Sequence, residues 1–138
     1  MTQAERTEKI KFLNSPYWMQ KKISFLERQV SNLEDLAQRI TSGTSNNGGN
    51  TISDKTGEAA VAIADAKREF LSIVKEYAQK KVKIYHVIEN SDLEEVEKNV
   101  LRLRHLEFKK FFQIAQELNY SREHIHEIYN KALEKLPR

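Results

Sequence analysis

The segment from Phe111 to Asn130, FFQIAQELNYSREHIHEIYN, constrains the fold of this chain more than any other. Ile114 and Ala115 lie one helical turn before Leu118, and a turn-prone Asn119 follows. Ile125 and Ile128 then open a second helical face. Helices joined by so short a turn must approach closely, which the small Ala115 permits, and Asn tolerates the left-handed backbone of a tight turn. The spacing predicts a helix-turn-helix. Ile125 and Ile128 would pin the second helix onto the first and leave its other face free for a DNA groove.

The rest of the chain fits an all-α protein. It has 138 residues, about one domain, with 31% charged residues, four Gly and two Pro. Without cysteine it has no disulfide framework and no thiolate metal site. It contains no apolar run of membrane-spanning length. The start, MTQAERTEKIKFL, has no signal-peptide core, so a cytoplasmic protein is expected. The net charge is +3, and its distribution says more. Residues 98–138 carry nine Lys/Arg against five Asp/Glu, whereas residues 1–97 carry fourteen against fifteen. The basic surplus lies with the helix-turn-helix, where a phosphate backbone would require it.

Residues 1–41 read as N-terminal helices. A short helix over about 3–13 is interrupted at Asn14-Ser15-Pro16, where Ser15 suits a cap and Pro16 a first helical position. Ile23, Leu26, Val30, Leu33, Ala37 and Ile40 then follow spacings of three and four, a heptad seam that Phe25 and Leu36 widen. Residues 42–56, SGTSNNGGNTISDKT, predict a flexible polar linker. Residues 57–90 predict a long coiled-coil helix through Ala59, Ile63, Ala66, Phe70, Ile73, Tyr77, Ile84 and Val87, with Lys80 on the seam. The linker length lets this helix fold back antiparallel on the first. Heptads do not specify a partner, so pairing within the chain and self-association both remain open.

Residues 91–138 predict three more helices. Ser91-Asp92-Leu93-Glu94 fits a capping box. Leu93, Val96, Val100, Leu103 and Leu106 form the first buried face, with Arg102 and Arg104 elsewhere on the circumference. Helices over about 110–118 and 121–136 follow. Ser121 caps the last, Ile125, Ile128, Tyr129, Ala132, Leu133 and Leu136 form its stripe, and Pro137 ends it. The expected architecture is an N-terminal antiparallel helical hairpin or coiled coil, then a C-terminal three-helix helix-turn-helix domain.

The stretch VLRLRHLEFKKFFQIAQELNYSREHIHEIYNKALEKL, Val100 to Leu136, resembles the region-four helix-turn-helix of sigma-70 factors. More closely, it resembles phage and prophage late-gene transcription regulators of the ArpU/RinA type. The helical N-terminal half, the polar linker and the TGEA segment, Thr56 to Ala59, are similar to that group as well. This chain has Phe108 where the family usually has Gly, and Lys110 where it has a small capping residue, which predicts a differently built loop. The resemblance implies a regulator that activates phage late genes, with RNA polymerase as a second partner.

Helix-turn-helix geometry places Ser121, Arg122, Glu123, His126, Glu127 and Asn130 toward a groove. Arg122 is suited to guanine and Asn130 to adenine, both bidentately, and an acidic Glu123 or Glu127 to a cytosine amino group. Ser121 suits a phosphate. Lys109, Lys110 and Lys131 flank this face as phosphate candidates, although for Lys131 and Lys135 a simply solvated face is an equal reading. Tyr120 either stacks beside the backbone or plugs the turn.

Other chemistry has little support. His124 and His126 project from different sides of a helix, and no ligand set completes a metal site. Glu94, Glu95 and Glu97 sit where a helix start favours acids. Gly48-Gly49 lacks the Lys-Ser/Thr pair of a phosphate loop. No cofactor, metal or enzymatic activity is expected. The expected partners are double-stranded DNA, RNA polymerase and a second copy through the N-terminal helices, with no membrane. The rival reading is a coiled-coil interaction module that binds transcription machinery or a phage protein without reading DNA sequence, favoured by the acidic Glu123 and Glu127.

Overall fold

The computed structural model describes residues 1–42 and 49–137, and every regular element among them is helical. The order is α1 (Gln3–Leu13), α2 (Ser15–Ser42), α3 (Gly49–Asn90), α4 (Glu95–Leu101), one π-helical turn (Arg102–Leu106), α5 (Phe111–Leu118) and α6 (Arg122–Lys135). The fold is all-α, with a helical hairpin preceding a helix-turn-helix. Among the described residues no helix is long and apolar enough to cross a membrane.

Local chemistry sets most helix ends, with three departures from expectation. Thr2 caps α1, its hydroxyl accepting from the Glu5 amide at 3.1 Å. Ser15 does not cap α2. Its hydroxyl turns back and donates to the Lys11 carbonyl at 3.1 Å, satisfying the end of α1. The expected capping box at Ser91 lies three residues later: Glu94 is the cap of α4, and the Glu97 carboxylate accepts from its amide at 2.8 Å. Ser91 instead donates to the Val87 carbonyl at the end of α3. Both serines follow a helix closely, and there an unsatisfied carbonyl competes for the hydroxyl. Of the expected linker, residues 43–48 lie outside the described residues, and Gly49–Thr56 is helical. Extending an existing helix adds one hydrogen bond per residue without a new nucleation cost, which offsets weak propensity.

The chain forms two compact units. One comprises Met1–Trp18 with Tyr77–Arg138, the other Met19–Glu76. The first has a continuous apolar core to which every helix of the unit except α2 contributes: Leu13 from α1, Ile84 and Ile88 from α3, Val100 and Leu101 from α4, Ile114 from α5, and Ile125 and Leu133 from α6. Each such side chain contributes about 1.5–3 kcal/mol when fully buried. The C-terminal helices therefore do not form a core by themselves. Three helices of 7, 8 and 14 residues bury too little on their own, and α1 with the last turns of α3 covers them. Lys9 of α1 donates to the Leu133 carbonyl at 2.8 Å, capping the end of α6. Lys80, on the expected seam, lies 5.5 Å from the centre of the Phe12 ring instead of facing another seam residue.

In the second unit α2 and α3 run antiparallel. Lys22 pairs with Glu69 at 3.9 Å, and Glu34, farther along α2, pairs with the earlier Lys67 at 3.2 Å. Leu26 and Ile73 are buried, while Ile23, Val30, Leu33, Ala66 and Phe70 are half-buried along the seam. These ion pairs are exposed and add little, so the seam holds the helices together.

Candidate nucleic-acid interface

Three local devices build the helix-turn-helix. Asn119 ends α5 in the left-handed region, at φ 60° and ψ 43°, and the Tyr120 amide donates to the Ala115 carbonyl at 3.0 Å. Ser121 caps α6, its hydroxyl accepting from the His124 amide at 3.1 Å. Ala115, Ile125 and Ile128 are buried between the helices. Tyr120 does not plug the turn: it is exposed and packs edge-on against His124 at 4.9 Å.

The face of α6 opposite this core is open. Ser121, Arg122, Glu123, His126, Glu127, Asn130 and Lys131 are all exposed. Arg122, His126 and Asn130 follow one another every four residues, and Glu123, Glu127 and Lys131 form the adjacent row, so both rows share one face. Among the described residues, the side chains of Arg122, Glu123, Asn130 and Lys131 have neither a hydrogen bond nor an ion pair. Glu127 lies 3.5 Å from His124 Nδ1. The His126 ring stacks on Phe111 with centroids 4.5 Å apart, which fixes its place on the face. Arg122 and Lys131 balance Glu123 and Glu127, so this face carries no formal charge surplus.

The cations gather instead before α5. Lys110 stands at the N-cap position of α5 with its side chain exposed, and its backbone amide donates to Gln113 Oε1 at 2.9 Å. Lys109 is engaged by Glu117, whose hydrogen bond and charge raise the lysine pKa, so a phosphate would have to displace that carboxylate. Arg104 joins them. Its guanidinium lies 4.4 Å from the centre of the Phe111 ring and donates to the Lys109 carbonyl at 3.1 Å. Helical periodicity put Arg104 off the buried face of its own helix and gave it no role at this surface. The five-residue turn at Arg102–Leu106 re-aims the side chains that follow α4, and only the tertiary structure shows where Arg104 then points. Phe108 takes up φ 60°, the conformation that glycine adopts most easily. Phe108 therefore bears the steric cost of a left-handed residue in this loop.

Buried polar groups hold this surface from behind. His105 Nε2 and the Tyr129 hydroxyl lie 3.0 Å apart. Burial, and to a lesser extent the nearby Arg104 charge, pushes the His105 pKa down to about 3, so the ring is neutral. Glu97 is 3% exposed. Burial opposes its ionisation, yet the Lys135 ammonium at 2.8 Å and the Glu94 amide keep its pKa below the ordinary carboxylate value. Arg102 Nε lies 2.9 Å from a Glu89 carboxylate oxygen, off the N–H axis, so that contact is electrostatic rather than a hydrogen bond. The same guanidinium donates to Glu95 at 2.8 Å, tying α4 to the end of α3. Among the described residues no three metal-ligating side chains converge.

Residues 91–137, 47 of the 138, match the family model for sigma-70, region 4. No curated protein and no solved structure matches the chain. The C-terminal helices thus form a sigma-70 region-4-like helix-turn-helix, a DNA-binding element of transcription.

Proposed function

We propose that this protein is a sequence-specific regulator of transcription that binds double-stranded DNA by inserting α6 into the major groove. The observation that carries the reading is the open α6 face, where the Arg122 and Asn130 side chains are exposed and have no hydrogen-bond or ion-pair partner among the described residues. They stand eight residues apart, about 12 Å along the helix, which spans a few base pairs of groove floor. Arg122 reads guanine and Asn130 adenine, Glu123, His126 and Glu127 contribute further edge contacts, and Ser121, Lys110, Lys131 and Lys109 contact phosphates. The resemblance over Val100–Leu136 adds the narrower assignment: activation of phage late genes in the cytoplasm, with RNA polymerase as a second partner.

The test is selection of bound sequences from random duplexes, with an Arg122→Ala, Asn130→Ala variant alongside. The wild type is expected to enrich a motif and the variant to lose it, each contact being worth about 1–3 kcal/mol of discrimination. Binding without enrichment, equal in the variant, would sink sequence readout by α6. The exposed Glu123 and Glu127 favour the rival reading, a protein-binding surface. Affinity that barely changes with salt would support that rival, because displaced counterions make phosphate binding steeply salt-dependent.

Self-association through the N-terminal helices belongs to the same proposal. Phe25, Leu36, Val61 and Leu71 are each at least half exposed, and a second copy would cover them. Sedimentation is expected to show a dimer that a Phe25→Ser, Leu71→Ser variant dissociates, and an enriched site with inverted half-sites about 34 Å apart. A wild-type monomer at high concentration would refute the dimer.

A further inference from the structure

Beside the start of α5 lies a cleft of about 380 Å³ whose walls include Tyr17, Trp18, Arg104, Phe108 and Lys110. Its aromatic wall is a set of edge-to-face pairs, with Tyr17 5.2 Å from Trp18 and 6.0 Å from Phe108, centroid to centroid. Trp18 is 65% exposed, a large amphipathic ring left open to solvent. Two cations, Arg104 and Lys110, face the same space, and among the described residues no carboxylate lines it. Lys81 lies 5.4 Å from the Phe108 ring, adding positive charge nearby. Cations that neutralise phosphate, next to an aromatic face that packs against sugar or base, suit a nucleic-acid strand.

The cleft is continuous with the open face of α6. Arg104 stacks on one ring, Phe111, that also stacks on His126 of that face. Lys110 belongs both to the cleft and to the cap of α5. A duplex read by α6 carries a phosphate rim on each side of a groove about 12 Å wide, and one rim would run past the start of α5. We propose that this cleft receives the sugar-phosphate backbone of the same duplex: Arg104 and Lys110 hold a phosphate, and Trp18 packs against the neighbouring deoxyribose. The inference rests on the DNA-binding reading. It adds Trp18 and Arg104, neither on the recognition helix, to the DNA contacts, and it extends the footprint to the N-terminal segment of the chain.

Trp18 is the only tryptophan, so its emission reports on the cleft alone. The full chain is titrated with a fluorescein-labelled random-sequence duplex at low salt. Anisotropy of the label measures binding, and acrylamide quenching of Trp18 measures access to the cleft. Saturation is expected to lower the quenching constant at least about twofold, because a deoxyribose packed against the ring shields it from acrylamide. Trp18→Ala is expected to weaken binding about fivefold with an unchanged melting temperature, and Trp18→Phe to recover most of it. Lys110→Ala is expected to reduce the slope of log affinity against log salt by about 0.9, one phosphate contact. Duplex binding with unchanged Trp18 quenching and full affinity in Trp18→Ala overturns the cleft assignment and leaves the DNA reading standing. Absence of duplex binding overturns both.

Discussion

Both compact units are helical, but they bury apolar surface to very different depths. In Met1–Trp18 with Tyr77–Arg138, the core holds Ile84, Ile88, Val100, Leu101, Ile114, Ile125, Ala132 and Leu133 at zero exposure. In Met19–Glu76, only Leu26 and Ile73 are buried among the described residues, and Phe25, Leu36, Val61 and Leu71 face solvent. Several short helices enclose a volume, whereas two long helices share only a line of contact. The first unit therefore supports a defined surface such as the α6 face. The second spends its apolar side chains on one seam and leaves others for a partner, consistent with the proposed dimer.

Core truncation should show the contrast most strongly. Leu133→Ala is expected to cost about 4 kcal/mol and Leu26→Ala about 2, since a shallow seam relaxes where an enclosed core leaves a cavity. Urea unfolding measures both, and equal losses would erase the distinction between the units. Acid should sharpen it next. The folded pKa of His105 lies at about 3 against an ordinary 6.5. Between those values the unfolded chain binds the extra proton, so stability is full above about pH 6.5 and falls by about 1.4 kcal/mol per unit as the pH drops. His105→Gln keeps a hydrogen-bonding group without the proton. Thermal melts from pH 7 to 5 should be flatter for that variant, and an unchanged slope would refute the assignment. The smallest effect concerns Phe108. Ala keeps the left-handed strain and loses the ring, whereas Gly removes the strain as well. Phe108→Gly is therefore expected to be about 1 kcal/mol more stable than Phe108→Ala. The reverse order in denaturant unfolding would show that the backbone there relaxes.

Sequence-local features were legible where their chemistry closes within a few residues. Asn119 turns left-handed, Ser121 caps α6, and Leu136 is extended before Pro137, as the residue before a proline should be. The same local logic failed at Ser15 and Ser91, because each hydroxyl had two helix ends in reach and took the carbonyl behind it. The outward-facing set on α6 could be read from periodicity, and all of it is exposed. Arg104 could not, since a single five-residue turn changes where the next side chains point.

What the amino-acid sequence determined by itself is the helical class, the helix-turn-helix and the outward face of α6, because each follows from spacings of three and four residues and from turn chemistry. What only the tertiary structure decided is which helices share a core. Leu13 and Ile84 are apolar positions on separate helices, and nothing in their local pattern says that they meet Leu133. Burial is non-directional, so the choice of partner is made by the whole chain, through whichever packing leaves the least apolar surface in water.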